Sequence, residues 1–170
     1  MNNLSPDHAF SGGITQKLTP SEILALVSSH PFLKDVAPAH QDLMATAASL
    51  EEFQAGEMIF KQGDPARRFY LIVFGSVALT HAGLKGNVPI QTLSAGDPLG
   101  WSWLFPPHAW HFNAMATEPT RTIVFDGEKL RELAKLHPDF GYVLMEHIAH
   151  IVIERLQQTR RRFHKLSGMA

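Results

Sequence analysis

The chain has 170 residues, 45% of them hydrophobic and 18% charged, with a formal net charge of -1. That length suffices for one compact domain with its own core, and the near-zero balance supplies no overall field for nucleic acid or an anionic membrane. The absence of cysteine rules out disulfides, thiolate catalysis, iron–sulfur clusters and cysteine-ligated zinc.

The first residues, "MNNLSPDHAFSGGITQKL", hold no basic stretch followed by an apolar run, so they do not read as a signal peptide. No segment is long and apolar enough for a membrane span, and the expected setting is cytoplasmic. Residues 1–18 mix Asn, Ser, Gly and Pro and read as a flexible arm. Structure is expected from Thr19, which with Glu22 makes a capping-box pattern and has Pro20 at the first helical position. Ile23, Leu24 and Val27 give that helix one apolar face, and Pro31 closes it. Leu43, Met44, Ala47 and Leu50 have helical spacing and predict a second helix, so that residues 19–50 form an N-terminal helical region.

From Glu51 to Asp126 short β-type runs alternate with Gly/Pro/Asp turns, the pattern of an all-β sandwich or roll. Gly75 interrupts the longest run and predicts a bend. "GDPA" at 63–66 and "GDP" at 96–98 carry the chemistry of tight turns. All three tryptophans then fall in "LGWSWLFPPHAW", Leu99 to Trp110. Asp126 is placed to cap a helix in which Leu130, Leu133 and Ala134 face inward, and His137-Pro138 breaks it. In the last helix Phe140, Leu144, Ile148, Ile151 and Val152 form a broad apolar face, and Leu156, Phe163 and Leu166 continue it as a narrow stripe. Core packing followed by a partner helix is the expectation, with Ile148, Ile151, Val152, Leu156 and Phe163 at a homodimer interface. Residues 127–166 thus read as C-terminal helices, and 19–166 as a single domain.

The order of helices, β-roll, short helix and long helix, together with "FQAGEMIFKQGDPARRFYLIVFGSVALT" at 53–80 and "LSAGDPLG" at 93–100, resembles the cyclic nucleotide-binding domain family. The resemblance implies an α+β fold: an antiparallel β-roll (a jelly roll, or double-stranded β-helix) flanked by N-terminal helices and a long C-terminal helix. It implies a ligand-sensing regulatory module in which ligand binding in the β-roll pocket is coupled to the C-terminal helix, and with no hydrolytic constellation in the sequence no enzyme is expected. It places the ligand on the loop after "GDP", where the family carries a Gly-Glu pair and, about ten residues on, an Arg followed by small residues. The Arg pairs with the cyclic phosphate, the Glu holds a ribose hydroxyl, and helix-end amides cradle phosphate oxygens.

Here Gly100 matches the Gly, Trp101 stands in the place of the Glu, and Trp110 stands, without a gap, in that of the Arg. His111 and Phe112 replace the small pair. Between Leu99 and Pro119 there is no Lys or Arg, and Glu118 is the one acid. Losing a charge-assisted partner costs on the order of 1.5–3 kcal/mol for the bond alone. Two readings of Leu99, Gly100, Trp101, Ser102, Trp103, Trp110, His111 and Phe112 stay open. The aromatics fill the old pocket and the domain is a dimeric protein-interaction scaffold, or they line a pocket for a cyclic nucleotide bound weakly or for another small molecule. No cofactor is implied.

Other patterns point less far. His108 and His111 form an H-x-x-H pair with no acid at a suitable spacing, and His147 and His150 share a helix face; neither reads as a metal site. Ser76, Ser94 and Ser102 lack a nucleophile-elbow sequence. The run Arg155, Arg160, Arg161, Arg162 and Lys165 suits a helix C-terminus and would also suit docking of an acidic partner or nucleic acid. Four residues follow Leu166, so the helix-turn-helix of the family's DNA-binding members is not expected, nor is direct DNA binding.

Overall fold

The structure is a computed structural model and describes residues 13–83 and 86–167, with the backbone alone at 162, 163 and 165–167. Packing divides the chain into two compact units, residues 1–130 and 131–170. The fold is α+β, with two antiparallel sheets, N-terminal helices and a long C-terminal helix.

In the first unit, Ile14–Gln16 (β1) precedes the helix Pro20–Ser29 (α1). The Thr19 hydroxyl accepts from the Glu22 amide while the Glu22 carboxylate accepts from the Thr19 amide at 2.8 Å, the reciprocal cap the sequence predicts. His30 then does two jobs. Its Nδ1 accepts from the Phe32 amide at 3.2 Å, capping the 3-10 turn Pro31–Leu33, and its Nε2 donates to the Ile72 carbonyl at 3.0 Å. The next helix, Pro38–Ala45 (α2), is anchored by the Gln41 amide, which donates to the carbonyls of Leu33 and Val36.

The predicted second helix is too long. It stops at Ala45, and Ala48–Phe53 (β2) is already a strand, paired residue for residue with Thr120–Asp126 (β9) from Ala48↔Phe125 to Phe53↔Thr120. Leu50, placed on a helix face by its spacing, is a buried strand residue. Long-range pairing overrides a weak local helical preference here. The expected arm also ends earlier: Ile14–Gln16 pairs with Leu50–Glu52 as an edge strand, and residues 1–12 lie outside the described residues.

The remaining strands are Met58–Phe60 (β3), Arg68–Phe74 (β4), Ser76–Gly83 (β5), Gly86–Ser94 (β6), Pro98–Leu99 (β7) and Asn113–Ala116 (β8). They form a five-stranded sheet, β1-β2-β9-β4-β7, and a four-stranded sheet, β3-β8-β5-β6, antiparallel throughout. The chain passes from one sheet to the other at Gly75. Its φ is 93°, and a Cβ there would lie 2.5 Å from the Thr120 hydroxyl and 2.6 Å from the Pro119 carbonyl, so no other residue fits. Gly127–Leu136 (α3) begins where expected, with the Asp126 carboxylate accepting from the Lys129 amide at 3.0 Å.

In the second unit, Pro138–Ser167 (α4) is a 30-residue helix. Phe140, Leu144, Ile148 and Ile151 are buried, at spacings of four, four and three. Tyr142, Met145, Ile153 and Leu156 are exposed. The residues expected at a dimer interface therefore divide: Ile148 and Ile151 are buried, Val152 is half-buried and Leu156 is exposed. The Phe163 side chain lies outside the described residues.

Candidate functional site

The tryptophan-rich loop leaves the five-stranded sheet at β7, where Leu99 pairs with Tyr70. Gly100 follows in the left-handed region (φ 83°, ψ 53°) and starts a single 3-10 turn, Trp101–Trp103. Leu99, Ser102 and Trp103 are buried, and the Trp103 ring lies 6.1 Å from that of Phe69. His108, at φ 54°, is held in that uncommon conformation by its Nδ1, 2.8 Å from the Trp103 carbonyl. The H-x-x-H pair is thus committed on one side to the loop's own backbone.

The loop's second half is strapped to the "GDPA" turn. The Trp110 amide donates to the Asp64 carbonyl at 2.9 Å, the Gly63 amide to the Trp110 carbonyl at 2.9 Å, and the Ala66 amide to the His108 carbonyl at 2.7 Å. A turn whose residues need no function beyond turning therefore fixes where Trp110 goes.

Trp110 is 5% exposed. Its ring stacks on Phe60 with centroids 3.9 Å apart and planes 12° apart, and lies 6.4 Å from Tyr70. Its six-membered edge lies over Gly100, where a Cβ would sit 2.8 Å from the indole. Trp101 is half-buried beside Phe105 and His111, at 6.3 and 5.6 Å. His111 is exposed and Phe112 half-buried. The predicted residues thus separate into an inner, packed set (Leu99, Gly100, Ser102, Trp103, Trp110) and an outer set (Trp101, His111, Phe112).

Trp110 also borders a cavity of about 670 Å³, and of the eight predicted residues it alone does so. The floor is one face of the five-stranded sheet. Ser49, Val124 and Tyr70 lie in one rung across β2, β9 and β4, and Glu51 and Arg68 flank Val124 diagonally on the same face. Arg68 Nη1 donates to both carboxylate oxygens of Glu51, at 2.9 and 3.1 Å, reaching across the intervening strand. The Glu51 side chain is 5% exposed and that of Arg68 30%.

Burial pushes the Tyr70 hydroxyl well above its ordinary range, so it stays neutral. Burial would lower Arg68, but the Glu51 carboxylate and Tyr70 outweigh it and hold the guanidinium above its ordinary value. Lys129 Nζ donates to the Thr46 carbonyl at the rim. Sequence reasoning missed this cluster. Its one signal is an acid at Glu51 and a base at Arg68, each in the register that faces the cavity, in strands otherwise rich in apolar residues.

Among the described residues no group of three or more His, Asp or Glu is placed to hold a metal ion. No described helix is long and apolar enough to cross a membrane.

Comparison with known proteins places these features. The model of the cyclic nucleotide-binding domain matches residues 50–137. A cAMP-dependent protein kinase regulatory subunit of Emericella nidulans is 32% identical over 76 residues, 45% of this chain and 18% of that protein. A CRP-like cAMP-activated global transcriptional regulator of Mycobacterium tuberculosis is 24% identical over 148 residues, 86% of this chain and 56% of that protein. The crystal structure of the Thermus thermophilus catabolite activator protein superposes with a TM-score of 0.64 at 25% identity, covering 81% of this chain and 63% of that one. The chain spans less than two thirds of the length of each.

Proposed function

The chain belongs to the cyclic nucleotide-binding domain family, and on that premise we propose that it is a non-catalytic regulatory domain of the cytoplasm whose 99–112 loop does not grip a cyclic nucleotide in the usual manner. The observation that carries this reading is Trp110, stacked on Phe60 and laid over Gly100. A cyclic phosphate brings one negative charge. The loop offers it the amides that follow Gly100 and the exposed His111, but no Arg or Lys. Such a ligand would bind weakly.

The test is a nucleotide panel, cyclic and linear, read by thermal shift and calorimetry at pH 6 and pH 8. Millimolar or absent binding supports the reading. Sub-micromolar binding of cyclic AMP at both pH values overturns it.

A second reading has its own support. The exposed apolar side chains of α4, Tyr142, Met145, Ile153 and Leu156, suit a partner helix. In that reading the domain is a homodimeric scaffold joined along α4, through Val152 and Leu156, and a protein partner binds the assembly.

A further inference from the structure

We propose that the cavity over the Glu51–Arg68 pair is a ligand site in its own right, sharing only Trp110 with the 99–112 loop, and that it takes a small zwitterion with an apolar body, a free amino acid in chemical class. The inference stands apart from the nucleotide reading above and survives its failure.

Three observations converge. First, a cavity of about 670 Å³ lies within the range of small-molecule sites, about 300–1,000 Å³, and pairs an aromatic wall with a rim of charged side chains. Phe60, Tyr70 and Trp110 supply the wall. Second, the floor carries the Glu51–Arg68 ion pair, whose Glu51 side chain is 5% exposed, and a buried ion pair is weak evidence of a purely stabilising role, since apolar residues of similar volume often serve stability as well. Glu51 also keeps acceptor capacity. An ionised carboxylate has about four lone-pair sites, and Arg68 and Thr15 supply three contacts to it.

Third, the charges at the cavity select against both kinds of simple ion. Glu51, Asp64, Asp126 and Glu128 oppose a bare anion, and nucleoside phosphates with it. Arg67, Arg68 and Lys129 oppose a bare cation. A ligand carrying both signs satisfies both sets. Its ammonium meets Glu51, its carboxylate meets the cations of the rim, and its side chain lies against the aromatic wall.

Calorimetry with the full chain at pH 7 tests this with L-phenylalanine and L-leucine as probes. Phenethylamine, which lacks the carboxylate, and 3-phenylpropionate, which lacks the ammonium, serve as controls. At least one amino acid is expected to bind, each control at least tenfold more weakly, and excess cyclic AMP to leave the binding unchanged. Lys129→Gln and Arg67→Gln change exposed side chains and leave the core intact; each should weaken binding severalfold, whereas His111→Ala should not. Absence of amino-acid binding overturns the proposal. So does a control that binds as tightly as its amino acid, competition by cyclic AMP, or binding lost with His111→Ala and kept with both rim variants.

Discussion

The indole of Trp110 and the backbone of Gly100 occupy one space: a single methyl group on Gly100 would stand 2.8 Å from the ring. The ring cannot retreat, because Phe60 backs it at 3.9 Å and its amide and carbonyl are tied to Asp64 and Gly63. Gly100→Ala therefore suffers twice, from the clash and from its positive φ, while Trp110→Ala suffers as a large core truncation, about 3–5 kcal/mol. In the double variant the clash is gone and only the φ penalty remains. The combined loss should fall short of the sum of the single losses by at least about 0.5 kcal/mol. Urea denaturation of the four proteins measures this; strict additivity would show that the two residues do not compete for the space.

Glu51 and Arg68 should behave as a unit. Arg68→Met leaves a buried carboxylate without its cation. Breaking a fully buried pair costs about 3–5 kcal/mol, and the partial exposure of Arg68, 30%, reduces that, to about 2–3 kcal/mol on the same scale. Arg68→Met with Glu51→Leu removes both charges and should recover most of the loss. Chemical denaturation reads both, and a double variant as unstable as the single one would contradict the account.

His30 sets a pH dependence of stability. Burial lowers its pKa, against the smaller opposing effects of the Ile72 carbonyl and Asp97. The folded protein therefore binds this proton less readily than the unfolded chain, and folding is favoured wherever the unfolded histidine would be neutral. The contribution is complete above the unfolded value near 6.5 and is lost as pH falls below it. Protonating Nδ1 also turns the acceptor of the Phe32 amide into a donor, which removes the cap of the Pro31–Leu33 turn. The melting temperature should drop between pH 7 and pH 5 in the wild type. His30→Gln should be less stable at pH 7 and show a shallower drop. Parallel pH profiles for the two proteins would assign the effect elsewhere.

Local chemistry made part of this legible in advance. The Thr19–Glu22 cap, the Asp126 cap and the bend at Gly75 each depend on neighbours within a few residues, and each is where the sequence puts it. What could not be read depends on distant pairing. Ala48 becomes a strand residue because Phe125 lies opposite it. Ile14–Gln16 has no pattern of its own and becomes a strand only against β2. Glu51 and Arg68 are 17 positions apart and meet only because β9, from far along the chain, lies between their strands. The cavity was invisible for the same reason.

Among the described apolar side chains of α4, Phe140, Leu144, Ile148 and Ile151 are buried, Val143 and Val152 are half-buried, and Tyr142, Met145, Ile153 and Leu156 are exposed. Tyr142, Met145, Ala149, Val152 and Leu156 alternate at spacings of three and four, the repeat that lets one helix lie along another in a left-handed coil. A partner helix would cover this stripe and leave the buried set untouched. Val152→Glu with Leu156→Glu should therefore give a monomer that keeps its fold, because a carboxylate facing its own copy repels and neither position is fully buried. Ile148→Glu should unfold the protein rather than merely dissociate it, because that residue is fully buried. Light scattering reads the mass and circular dichroism the fold. A wild-type chain that is monomeric at tens of micromolar, or a dimer that survives the double glutamate, would exclude this face as the interface and with it the scaffold reading.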